Sequence, residues 1–60
     1  MSEFDVYVAS ADYVEAANNF DQVASACRRR EASKEALDAA AAALTAARDA
    51  LHASLVAGAR

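Results

Sequence analysis

In the second half of the chain the apolar residues fall on lines seven residues apart: Leu37, Leu44 and Leu51; then Ala40, Ala47 and Ser54; then Ala36, Ala43, Ala50 and Ala57. Interleaved at three and four, these lines predict a helix over residues 33–58 with one apolar side. The first half repeats the spacing with larger side chains. Tyr13, Ala16, Ala17, Phe20, Val23, Ala24 and Cys27 share one helical face, which predicts a first helix from Ser10 or Ala11 to about residue 30. Asn18 and Asn19 are poor interior helix formers, but both fall on the polar side and leave the apolar stripe intact.

Residues 1–9 admit two readings. Phe4, Val6 and Val8 alternate with Asp5 and Tyr7, the period of a short strand, which would need a twin from another subunit to be stable. Alternatively the first helix begins at Ser2, and Val6 leads the line continued by Tyr13, Phe20 and Cys27. Either way Phe4, Val6 and Val8 require cover.

No proline occurs anywhere and the only glycine is Gly58, so the boundary between the helices has to be found in the charges. Asp5, Asp12 and Glu15 come early and Arg28, Arg29 and Arg30 close the first half; Glu31, Glu35 and Asp38 open the second, and Arg48, His52 and Arg60 end it. Acid at a helix start and base at its end each complement the helix dipole, and the pattern runs through twice. Two helices therefore meet within RRREASK, with Ser33 as the N-cap of the second and Gly58 as the left-handed residue that stops it. One continuous helix is the rival. Extending the first seven-residue line past Cys27 puts Lys34 and Arg48 where an apolar seam is needed, which favours the hairpin.

Composition then changes the picture. The hydrophobic content of 57% includes nineteen alanines, so few bulky apolar groups are left in 60 residues. A single domain this small, 1–60, is marginal on its own core, and one cysteine cannot form an internal disulfide. The expectation is an all-α, two-helix antiparallel hairpin with a short extended or helical N-terminal segment, associating with itself into a four-helix bundle. A homodimer or higher homo-oligomer would form through Tyr13, Ala16, Phe20, Val23, Cys27, Leu37, Ala40, Leu44, Ala47, Leu51 and Leu55. Alanine faces let two helix backbones approach at the lower end of the usual separation of about 8–10 Å. Leu55 and Val56 would be exposed on a lone hairpin and covered in a dimer.

Candidate chemistry is sparse. Arg28, Arg29 and Arg30 could grip phosphate, although a basic run at a helix end also complements the dipole, Glu31 follows directly, and a mild net charge of −3 with acidic and basic residues interspersed implies no polyanion-binding surface. Asp49 and His52 share a helical face without the further carboxylates of a metal-binding bundle, so no metal and no cofactor is expected. Cys27 lies on the apolar line, and its one available base, His52, is on the other helix. An enzyme is not expected.

The alanine run is broken by Asp38, Arg48, Asp49 and His52, short of a membrane span, and MSEFDVY lacks the features of a secretory signal, so a cytoplasmic protein is expected. The function expected is that of a small interaction protein: a structural, adaptor or inhibitor module. The alternative is a small DNA-binding regulator or antitoxin-like protein that uses Arg28–Arg30.

Overall fold

A computed structural model describes residues 3–58 as two helices and no strand, α1 from Glu3–Arg28 and α2 from Lys34–Gly58, folded back on each other as a helical hairpin. The strand reading of residues 1–9 is therefore corrected for Glu3 onward. An isolated strand would leave its backbone groups unpaired, whereas continuing α1 backward satisfies them within the helix. Helix one correspondingly begins seven residues before the expected Ser10, and the continuous helix is also not what forms. A start at Ser2 and the contribution of Arg60 lie outside the described residues.

The break between the helices is a helix-stop motif formed without glycine. The Glu31 N–H donates to the Ala26 carbonyl (2.8 Å) and the Arg30 N–H to the Cys27 carbonyl (3.0 Å), the paired bonds that close a helix when the residue after its cap turns left-handed. That residue is Arg30, with φ of 61°. A side chain in this region costs about 1–2 kcal/mol. Arg30→Gly is accordingly expected to gain about 1 kcal/mol and raise the midpoint of thermal unfolding by several degrees, as read by circular dichroism.

The left-handed role expected of Gly58 is a correction in the other direction. Gly58 is the last residue of α2, and no described glycine has positive φ.

Ser33 starts α2 as its spacing predicts. Its Oγ accepts from the Ala36 N–H (3.2 Å), satisfying one of the free donors of the first turn. Ser33→Ala should cost about 1 kcal/mol, measured as a lower urea midpoint with an unchanged slope. Across the same turn the Cys27 thiol donates weakly to the Ser33 carbonyl (3.5 Å). The end of α1 is thus linked to the cap of α2.

The seam between the helices follows the seven-residue lines. On α2, Leu37, Leu44, Ala47 and Leu51 are half-buried, while Ala40 and Ser54 are the deepest residues at 4% and 7% exposed. On α1, Val6, Tyr13, Ala17, Phe20, Ala24 and Cys27 are half-buried. No described side chain is fully enclosed. Two helices can shield only one side of each other, so each large seam residue keeps part of its surface in water. The result is a rod, with principal extents of 45 × 14 × 10 Å.

Candidate docking face

Of the residues named as an oligomer interface, the structure places Tyr13, Ala16, Phe20, Val23 and Cys27 half-buried on α1. Leu37, Leu44, Ala47 and Leu51 are half-buried on α2, with Ala40 buried among them and Leu55 left 52% exposed. Apart from Leu55, these positions do their first work within the chain, holding α1 to α2.

What the hairpin leaves uncovered is a second stripe on α2. Ala36, Ala39, Ala43, Ala46, Ala50, Ala53 and Ala57 are all exposed, and their spacing alternates three and four along the whole helix. Except for Ala57, each stands one residue before a member of the seam, hence about 100° round the helix from it. The sequence reading named only Ala36, Ala43, Ala50 and Ala57 of this stripe. Stepping back one residue from each seam position would have found the rest.

α1 borders the same face. A shallow groove runs between the helices, walled by Phe4, Val8 and Ala9 on α1 and by Ala46, Ala47 and Ala50 on α2. It continues past Asp12 to a second hollow between Ala16 and Asn19 on one side and Ala43 on the other. The antiparallel arrangement brings the start of α1 beside the end of α2. Phe4 (71% exposed), Tyr7 (75%), Leu55 and Val56 consequently crowd the open end of the rod.

Charges on the surface are local. Lys34 pairs with Asp38 (3.5 Å), Arg48 with Asp49 (3.6 Å) and Arg29 with Glu31 (3.1 Å), all solvent-exposed and worth at most about 1 kcal/mol each. Within the arginine run, Arg28 donates to the Ser25 hydroxyl (2.9 Å), Arg29 holds Glu31 and Arg30 makes the left-handed turn. The three side chains are exposed, each residue with its own local role.

Asp49 and His52 lie on the exposed side of α2. Among the described residues no group of three or more His, Cys, Asp or Glu side chains is placed to hold a metal ion, and no helix is long and apolar enough to cross a membrane.

Comparison with protein-family models, with curated proteins and with solved structures gives no match. The function has to be read from this chain's own surface.

Proposed function

We propose that the chain is a non-enzymatic helical interaction module that works by self-association, two hairpins combining into a four-helix bundle. The observation that carries this is the amount of surface left uncovered. A compact monomer of 6.3 kDa exposes about 3700 Å² by the usual scaling of surface with mass, whereas this chain exposes 4464 Å². The excess is roughly 700 Å², close to the roughly 800 Å² that each partner buries in a standard protein interface.

The chemistry of the exposed surface agrees with that reading. Phe4, Tyr7, Val8, Val14, Leu55 and Val56 are large apolar residues in water, and among the described residues the deepest hydrophobe is an alanine. In a bundle the half-buried Tyr13, Phe20, Leu44 and Leu51 would turn their remaining surface toward the second hairpin, adding interior that a two-helix rod cannot supply. The role is that of a scaffold, adaptor or inhibitor presenting a helical surface.

Light scattering coupled to size exclusion tests the reading. A mass near twice 6.3 kDa supports it, and a single-chain mass across the accessible concentration range refutes it. The DNA-regulator alternative rests on the exposed Arg28–Arg30 run and makes a separate demand: retention on DNA that falls steeply with added salt.

A further inference from the structure

We infer that the outer face of α1, on the side away from α2, docks an amphipathic helix of another protein whose apolar stripe is flanked by lysine or arginine. The inference stands apart from self-association, because Tyr7 and Val14 wall neither part of the groove between α1 and α2 and a second hairpin seated there leaves them in water.

The spacing of the exposed residues says what shape fits. Phe4, Tyr7, Ala11, Val14 and Asn18 follow one another at intervals of three, four, three and four, the interval of a seam between two helices, and all five are exposed. Their line lies about 140° round α1 from the seam that holds α2, so the hairpin itself cannot cover it. Tyr7 and Val14 are 75% and 56% exposed. Along the line a hollow formed by α1 alone is lined by Tyr7, Ala11, Val14, Glu15, Asn18 and Gln22. Ala11 stands between the two larger side chains, so a bulky apolar residue from a partner meets neighbours on both sides of it. At the far end Asn18 and Gln22 offer amides, and a polar residue on such a line fixes the register of the helix that packs against it. From Phe4 to Gln22 the face runs about 27 Å, five helical turns.

Charge says which helix. Glu3 and Asp21 flank the line on one side and Glu15 on the other, each about 60° from its centre. Among the described residues none of these three carboxylates enters an ion pair. Residues 3–27 also include no Lys, Arg or His. Two copies of the chain overlapped on this face from Phe4 to Gln22 would therefore set acid against acid in either direction, which acts against a second copy here. A helix with basic flanks instead places a cation beside each carboxylate while its apolar residues cover Tyr7 and Val14.

Two synthetic peptides test the inference. Each has about 20 residues, enough for a helix to form on docking, with leucines at three-and-four spacing; the flanks are lysine and arginine in one and glutamate in the other. At an ionic strength of about 0.15 M the basic peptide should bind the isotope-labelled chain about tenfold or more tightly than the acidic one, and should shift the backbone amide signals of α1 between Phe4 and Gln22. The double variant Tyr7→Ala, Val14→Ser should weaken that binding by about tenfold and keep the parent's helix content, since neither side chain lies on the seam. Glu15→Lys should weaken it by about fivefold, whereas Glu35→Lys, the same change in net charge on α2, should stay within about twofold.

Equal losses from Glu15→Lys and Glu35→Lys, equal binding of the two peptides, or shifts centred on the α2 alanines or the turn overturn the inference, as does a basic peptide that does not bind. Movement of the parent chain's own Tyr7 and Val14 signals as its concentration is raised would assign the face to a second copy and overturn it too.

Discussion

Replacing Phe20 with alanine is expected to remove about 3 kcal/mol and to abolish cooperative thermal unfolding of the hairpin at ordinary temperatures. Phe20 stands on the seam line with Tyr13 and Cys27, and around it α1 offers only Ala16, Ala17, Val23 and Ala24 on the same side. A chain of 60 residues has a total stability of only about 3–9 kcal/mol, so the loss is comparable to the whole. Circular dichroism melting of the two proteins at equal concentration reads the effect. A variant with the parent's midpoint and transition width would show that Phe20 does not hold the helices together.

The second large effect is expected from adding volume. Ala40 is 4% exposed, so α1 passes close to its methyl group and leaves no room for an isobutyl side chain. Ala40→Leu should cost about 2–3 kcal/mol through overpacking, because two rigid helices can make space only by separating along their length. Ala42→Leu is the control. Its position is exposed, leucine is nearly as good a helix former as alanine, and the change should stay within about 0.5 kcal/mol. Urea unfolding of the pair measures the contrast, and equal midpoints would mean that the seam is not closely packed.

These two residues also show why much of the hairpin is legible in the sequence. Phe20 and Ala40 lie on seven-residue lines, and such lines can be read directly because a helix repeats nearly every seven residues. The reversal of charge order likewise places the break inside RRREASK, and Ser33 caps α2 where its hydroxyl can reach the Ala36 amide.

The turn itself is less legible. Left-handed backbone is ordinarily marked by glycine, yet Arg30 adopts it and Gly58 does not. The hydrogen bonds from Glu31 and Arg30 to the last turn of α1 offset the steric cost that disfavours arginine there. Phe4 to Val8 mislead for a different reason. Alternation over five residues fits a strand, but a lone strand has no backbone partner within one hairpin, and the helix that follows can extend through those residues at little cost.

The candidate docking face was only half visible for a related reason. The line Ala36, Ala43, Ala50 and Ala57 stands out by its period, but alanine is compatible with a buried seam, an exposed surface or a contact between molecules. Only the burial pattern separates Ala40, Ala47 and Ser54 in the seam from Ala39, Ala46 and Ala53 on the exposed face beside it. At Ala39 and Ala40, and again at Ala46 and Ala47, the same residue one position apart serves two different sides of the helix.

The central claim is that a rod exposing 4464 Å² has too little interior to stand alone and is stabilised by a second copy. Thermal unfolding followed by circular dichroism over a hundredfold range of protein concentration tests it most directly, with sedimentation equilibrium on the same samples. The account predicts a midpoint that climbs with concentration, since association stabilises the folded state by mass action, and a dimeric mass at the upper end. A midpoint independent of concentration, in a chain that sediments as a folded 6.3 kDa monomer throughout, would contradict it.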